Sequence, residues 1–161
     1  MSKKYQSSSI GYWVIGFVTV AVFAGIGIYA FMTQPKPFSS KTNREVALSC
    51  TTDMATQFHI HPVLKIILGN QVQEIPADIG IKPTCMNAIH THDNTGVIHI
   101  ESPEKRDFNL PDFFAVWGID INTFGKLIKM VVNGKETTEY ENYIMQDKDQ
   151  IELYYEQPQS Q

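Results

Sequence analysis

The longest uninterrupted hydrophobic stretch of the chain covers residues 10–32 and contains no Asp, Glu, Lys, Arg or His. A helix of this length, at ~1.5 Å per residue, would cross a hydrocarbon core of ~30 Å. Aromatic residues near both ends are typical of the two membrane interfaces. They are Tyr12, Trp13, Tyr29 and Phe31. The pattern predicts one N-terminal transmembrane helix. The main alternative, a cleaved signal peptide, normally has a shorter apolar core.

After residue 45, short apolar runs alternate with turn residues, which indicates strands joined as hairpins. Gly69-Asn70, the loop 93–96 and Asn133-Gly134 are the predicted turns. The predicted strands cover residues 61–68, 72–81, 88–93, 97–101, 126–132, 138–145 and 150–156. Most of the domain is therefore expected to be β-structure.

One short helix is expected to interrupt these strands. Asn109 can cap its first turn, Pro111 suits a position near its start, and Gly118 can end it. Its apolar face would carry Phe113, Phe114, Val116 and Trp117. We expect this helix to cover part of the hydrophobic core.

This order of strands, inserted hairpin, helix and final strands resembles that of β-grasp (ubiquitin-like) domains. The stretch from Val131 to Ile151 is similar to the last part of that fold. The expected fold class is therefore a single N-terminal transmembrane helix followed by a mainly-β α+β domain, β-grasp-like with an inserted hairpin. A small antiparallel β-sandwich or barrel is the alternative. Sulfur-carrier members of the fold end in Gly-Gly, whereas this chain ends in Gln159-Ser160-Gln161, so no carrier chemistry is implied.

The length after the hydrophobic stretch is enough for one modest domain and too short for two. We therefore expect a cytoplasmic tail, a transmembrane anchor, a polar linker, one extracytoplasmic mainly-β domain and a flexible tail. In order along the chain, these segments are residues 1–9, 10–32, 33–45, 46–157 and 158–161.

Charge gives little support for a nucleic-acid partner. The formal net charge is -4, and the sequence has neither a five-residue basic run nor a Gly-rich phosphate loop. Basic residues flank the hydrophobic stretch on both sides, so the positive-inside comparison is close to balanced. The predicted orientation must therefore rest on other residues.

The chain has two cysteines, Cys50 and Cys85, both after the hydrophobic stretch. An even number of cysteines in an exported domain suggests a disulfide. We accordingly predict a single-pass protein of the cell membrane whose C-terminal domain lies outside the cytoplasm. Two alternatives stay open, namely buried thiols in a cytoplasmic domain and thiolate ligands of a metal ion.

All five histidines lie between His59 and His99, and four of them form the pairs His59-Ile60-His61 and His90-Thr91-His92. In an extended strand, residues i and i+2 point to the same face, so each pair presents two imidazoles together. Imidazole is the commonest protein ligand of zinc and copper. The spacing predicts a Cu or Zn site built from His59, His61, His90, His92 and His99.

The position of His99 depends on the register of the hairpin. With a four-residue loop at 93–96, His90 lies directly opposite His99 and three histidines share a face. With a three-residue loop and a bulge, His99 faces away. Asp93 has two interpretations: it caps the turn, or it accepts a hydrogen bond from a neighbouring metal-binding imidazole and fixes its orientation.

Two further runs of residues are similar to an uncharacterised family of single-pass membrane-anchored archaeal and bacterial proteins. They are His90-Thr91-His92-Asp93 with Gly96-Val97-Ile98-His99-Ile100-Glu101-Ser102-Pro103, and Phe113-Phe114-Ala115-Val116-Trp117-Gly118. The resemblance implies a histidine hairpin beside a Phe/Trp-rich helix. It brings no established activity.

The function expected from these features is a membrane-anchored, extracytoplasmic domain that binds copper or zinc through a histidine cluster. Met54 and Met86 near the cysteines add soft sulfur, which favours copper slightly. Catalysis has less support, because Glu74 and Glu101 are the candidate acid/base groups and solvent exposure explains both equally well.

The alternative function is an accessory or interaction subunit of a larger membrane complex, with structural histidines. A dense group of aromatic residues would suit a docking surface, although such residues more often form the core. They are Phe108, Phe113, Phe114, Trp117 and Phe124.

Overall fold

A computed structural model of the chain describes residues 10–32, 40–52 and 56–156. The chain divides into two compact units, Met1–Pro37 and Phe38–Gln161. The predicted tails at 1–9 and 158–161, most of the predicted linker, and Met54 lie outside the described residues.

In the described part of the first unit, the α-helix α1 covers Ile10–Met32. Among the described residues, no helix combines the length and the apolar character needed to cross a membrane. The prediction of a transmembrane helix is therefore wrong for the part of the chain that the structure describes.

The second unit is a mainly-β domain with three sheets and few helices. Its strands, β1 to β11, are Cys50–Thr51, Phe58–Ile60, Val63–Leu68, Gln71–Gln73, Ile81–Lys82, Cys85–Asn87, Ile89–His90, His99–Ser102, Leu127–Val132, Lys135–Thr137 and Gln150–Tyr155. Its α-helices, α2 and α3, are Asn43–Ala47 and Leu110–Trp117. Short 3-10 helices also cover Ile121–Phe124 and Tyr140–Asn142.

The largest sheet has the strand order β10-β9-β11-β3-β4. Its middle strand, β11, runs parallel to the neighbouring strand β3, with Gln150 opposite Val63 and Tyr155 opposite Leu68. An all-antiparallel sandwich or barrel lacks such a pair, so that alternative is wrong. The resemblance to β-grasp domains stays a prediction.

The hydrophobic core contains buried side chains from this sheet and from α3, among them Leu64, Ile66, Leu153, Phe113 and Phe114. Side chains alternate in burial along the central strands, as the period of a strand with one buried face requires. The cap of α3 is the one expected from the sequence, since Asn109 and Asp112 form a reciprocal capping box. Gly118 ends the helix with a φ of 82°, a left-handed conformation that suits glycine.

Three of the predicted strands are wrong in extent. The run 88–93 forms a strand only at Ile89–His90. The run 72–81 is strand only at its two ends, up to Gln73 and again at Ile81, because turns occupy residues 77–80. The run 138–145 turns through a 3-10 helix. The carboxylate of Asp149 accepts hydrogen bonds from the Tyr143 hydroxyl at 2.6 Å and the Gln146 backbone N–H at 2.8 Å. These contacts give the segment a specific non-strand path.

The two small sheets carry the cysteines and the histidines. In the sheet β1-β6-β5, Cys50 and Cys85 form a disulfide with a Cα–Cα distance of 5.3 Å, as predicted. In the sheet β2-β8-β7, β8 is the middle strand. His59 opposes Glu101 on one side of it, and His90 opposes His99 on the other.

Candidate metal centre

The three-stranded sheet β2-β8-β7 gathers all five histidines. His59 lies in β2, His90 ends β7 and His99 begins β8. His61 and His92 each follow the partner histidine by two residues, just beyond the strands. Because β8 is the middle strand, His99 lies between the two His-x-His pairs.

The pairing of His90 with His99 is the one expected from the four-residue loop. The connection is longer than that loop, however, because Val97 forms a bridge with Val63 instead of pairing with His92. The Gly96 carbonyl accepts a hydrogen bond of 2.8 Å from the Leu64 N–H. The main sheet thus holds the loop that follows the second histidine pair.

Thr91 anchors the backbone between His90 and His92. Its buried hydroxyl donates to the Pro76 carbonyl at 2.9 Å and accepts from the Ile79 N–H at 3.1 Å. Its own N–H donates to the Ile79 carbonyl at 3.0 Å. The positions of the flanking imidazoles therefore follow from a rigid backbone.

Two groups of three histidines have ring nitrogens close enough to one another that each group could hold a metal ion. In each group, the three nitrogens lie within 4.8 Å of one another, and His99 belongs to both. The inner triad is His90, His92 and His99, and the outer triad is His59, His61 and His99.

His99 is the centre of the cluster. Its ring centroid lies 4.6 Å from those of both His61 and His92, 5.4 Å from that of His90 and 5.8 Å from that of His59. The ring of His90 is nearly parallel to it, with an interplanar angle of 17°. The residue whose orientation the sequence left open is thus shared by both triads.

His90 is completely buried. Its Nδ1 lies 3.1 Å from the Asn87 carbonyl oxygen, so an Nδ1–H donates and Nε2 carries the lone pair. Among the described residues, Nε2 is buried and has no hydrogen-bond partner. Burial lowers the pKa of His90 to about 4, with opposing contributions from Asn87 and Glu101. Its imidazole is therefore neutral at pH 7.

Burial also lowers the pKa of His99, and the neighbouring His61, His92 and His59 lower it further. Neutral imidazole is the form that binds a metal ion. The imidazoles of His90 and His99 are consequently already neutral, and neither has to lose a proton before it binds a metal ion.

Carboxylates contact the outer histidines. Glu101 Oε1 lies 3.0 Å from His59 Nε2, and the Glu101 side chain is only 15% exposed. Asp147 Oδ1 lies 3.8 Å from His61 Nδ1 and accepts the His61 backbone N–H at 3.0 Å. Such contacts orient metal-binding imidazoles in proteins and raise their basicity.

The sequence did not predict Asn87, Glu101 or Asp147 as orienting groups. Glu101 had one usable signal, because it follows His99 by two residues in the same strand and shares its face. The other two are brought to the site by contacts that no local pattern encodes.

Asp93 acts as a turn cap. Its Oδ1 accepts the backbone N–H of Thr95 at 2.9 Å and the hydroxyl at 2.5 Å. These two hydrogen bonds lower its pKa, and the charges of His99 and His92 contribute less. The described hydrogen bonds of Asp93 therefore fit the turn-cap interpretation. The disulfide also removes Cys50 and Cys85 as thiolate ligands.

The geometry permits coordination after a small adjustment. Around a tetrahedral zinc ion with Zn–N distances of ~2.0–2.1 Å, nitrogens lie ~3.3 Å apart. Rings with nitrogens within 4.8 Å of one another reach that spacing by shifts of up to about 1.5 Å. Three imidazoles and one further position for water or another ligand would complete such a site.

No protein-family model, curated protein or solved structure matches this chain. The chemistry of the site is therefore argued from its own residues.

Proposed function

We propose that this protein binds copper or zinc through the histidine cluster centred on His99. The observation that carries the proposal is the buried Nε2 of His90, which has no hydrogen-bond partner among the described residues and belongs to a triad with His92 and His99. An unpaired buried polar group costs about 1–3 kcal/mol. Coordination would offset that cost, because the lone pair would bind an ion.

The hydrogen bond from His90 Nδ1 to Asn87 supports the same assignment. It fixes one tautomer and leaves the opposite nitrogen deprotonated, which is the arrangement of ligand histidines in proteins. A histidine with a purely structural role would normally use both ring nitrogens when buried. The single anchored nitrogen thus favours a ligand role.

The donor set suits both candidate metals. Imidazole nitrogens bind Zn(II) and Cu(II) well, and no thiolate is left to favour one of them once the cysteines are paired. The availability of each metal in the compartment of the domain would decide which ion is bound. We therefore retain copper or zinc as the proposed ion.

The disulfide supports a location outside the cytoplasm, because reducing compartments keep such thiols reduced. We accordingly place the domain in an oxidising compartment. Protease added to intact cells should digest it. Full protection until lysis would contradict this location.

The alternative of an interaction subunit has less support from the described surface. Phe108, Phe113 and Phe114 are buried, and Trp117 and Phe124 pack against the core. The aromatic group that suggested a docking surface is therefore used to stabilise the fold. Catalysis is likewise not favoured, since Glu101 is engaged with His59.

The test is metal titration of the full-length protein by calorimetry, with metal content measured after desalting. Unaltered protein should take up Cu(II) or Zn(II). The variant His99→Ala should bind on the order of 100-fold more weakly, because it removes one of three ligands from both triads.

Asn94→Ala is the matched control. Asn94 is an exposed residue of the loop between His92 and His99, and its side-chain amide donates a hydrogen bond to Glu74. Its affinity should equal that of unaltered protein. Absence of uptake by unaltered protein, or unchanged affinity in His99→Ala, would overturn the proposal.

A further inference from the structure

The geometry points to two divalent metal ions in this cluster, with the His99 imidazole bridging them. This inference rests on the proposed metal binding and adds a second ion to it. The inner ion would take His90, His92 and one nitrogen of His99. The outer ion would take His59, His61 and the other nitrogen of His99.

The division into two triads is the first argument. Among the described residues, the groups of ring nitrogens with metal-ligand spacing are the inner and outer triads, and neither combines the two His-x-His pairs. One ion could therefore use only one pair with His99. The other pair would remain a complete set of ligands apart from the shared ring.

The middle position of β8 is the second argument. His90 opposes His99 from β7, while β2 brings His59 and His61 to the other side of β8. Both pairs have one ring at 4.6 Å from the His99 ring, measured between centroids. His99 is thus equally close to each pair.

The chemistry of imidazole permits the bridge. Its two nitrogens point away from each other. Two ions, each ~2.0–2.1 Å from one of these nitrogens, would therefore lie roughly 6 Å apart. Bridging requires that the ring lose its N–H proton to water and become an imidazolate, so binding of the second ion would release one proton.

Carboxylates beside both triads would offset the added charge. Glu101 and Asp147 contact His59 and His61 at 3.0 and 3.8 Å. Asp93 follows His92 directly in the chain. Three carboxylates and one imidazolate would balance the four positive charges of two divalent ions.

The carboxylate contacts also determine which ring nitrogen of each outer histidine would bind the outer ion. Glu101 occupies Nε2 of His59, and Asp147 faces Nδ1 of His61. The opposite nitrogen of each ring is left for the outer ion. This matches the inner triad, in which Asn87 occupies Nδ1 of His90.

The experiment measures the number of ions bound to the full-length protein, using Cu(II) alone and Zn(II) alone. Native mass spectrometry and metal analysis should give two ions per chain. His61→Ala and His92→Ala are matched variants, each removing one partly or fully exposed ligand from one triad. Each should bind one ion, and His99→Ala should lose at least tenfold in affinity for both.

Electron paramagnetic resonance of the Cu(II) protein tests the bridge itself. Two Cu(II) ions joined by an imidazolate are magnetically coupled, so the integrated signal should fall below two spins per chain. His61→Ala should instead show an uncoupled signal of one spin.

The outcomes separate the two proposals. One ion per unaltered chain, lost in His99→Ala, would overturn the bridge and keep the metal-binding function. Two ions with an uncoupled signal and unchanged affinity in His99→Ala would also overturn the bridge. Uptake of no ion would overturn both proposals.

Discussion

The backbone carbonyl of Asn87 accepts a hydrogen bond from Nδ1 of His90 over 3.1 Å. Asn87 is itself fixed, because its side-chain amide donates to the Ala47 carbonyl at 2.8 Å and its N–H to Gly80 at the same distance. It also lies opposite Cys50 of the disulfide. This one contact therefore couples the disulfide-bearing sheet to the buried imidazole.

Metal ions should stabilise the folded protein. At a free ion concentration 100-fold above Kd, binding adds about 2.7 kcal/mol to the free energy of unfolding. Addition of Zn(II) or Cu(II) to the full-length protein should raise Tm in differential scanning calorimetry, and a chelator should reverse the rise. Magnesium is the control, since it prefers oxygen ligands. An equal rise with magnesium would contradict specific binding by imidazole.

The metal-free protein should lose stability on mild acidification. The pKa of folded His90 is about 4, below the ordinary value of 6.5, so the unfolded chain binds more protons between these values. The contribution of His90 to the free energy of unfolding is present above pH 6.5 and is lost as the pH falls toward 4. It amounts to up to about 3 kcal/mol.

Chemical denaturation at several pH values measures this effect, with chelator present. Proton resonances of the His90 ring isolate it from the carboxylates and should stay unchanged from pH 7 to 5. A midpoint near pH 6.5 for this ring would contradict the prediction.

Reduction of the disulfide should destabilise the domain. Cys50 and Cys85 are 35 residues apart, and a loop of that length implies roughly 3.5–4 kcal/mol in the chain-entropy model. The double variant Cys50→Ala/Cys85→Ala should show the same loss in urea denaturation and no further response to reductant. Two titratable thiols in freshly isolated, unreduced protein would refute the bond.

Replacement of Gly96 by Ala should be much more damaging than replacement of Gly134. Both glycines have positive φ, 84° and 77°. A Cβ on Gly96 would overlap the Leu64 carbonyl oxygen, whereas one on Gly134 meets no atom within 4 Å. Gly134→Ala should cost about 1 kcal/mol for its left-handed conformation.

Gly96→Ala should lower the free energy of unfolding by more than about 3 kcal/mol. Besides the strain of the left-handed conformation, the substitution displaces the backbone and breaks the hydrogen bond from the Leu64 N–H. Urea denaturation measures both values. Equal losses would show that the close approach to β3 has no energetic consequence. Since Gly96 lies between His92 and His99, the variant should also weaken metal uptake.

Local patterns were sufficient for much of the fold. The sequence predicts the helix between the caps Asn109 and Gly118 directly, and it predicts the turn Asn133-Gly134 in the same way. These features depend on interactions between neighbouring residues. The pairing of Cys50 with Cys85 was also predictable, since the chain has no other cysteine. The transmembrane prediction failed on the described residues, although its helix formed over the expected range.

By itself, the sequence determined that two His-x-His pairs exist and that each would present its imidazoles together, because that spacing is a property of an extended backbone. Only the tertiary structure decided that β8 lies between β2 and β7 and places His99 in both triads. It also decided which nitrogens are free, through Asn87, Glu101 and Asp147. Strand pairing and burial depend on contacts between distant residues, and local sequence patterns do not specify those contacts.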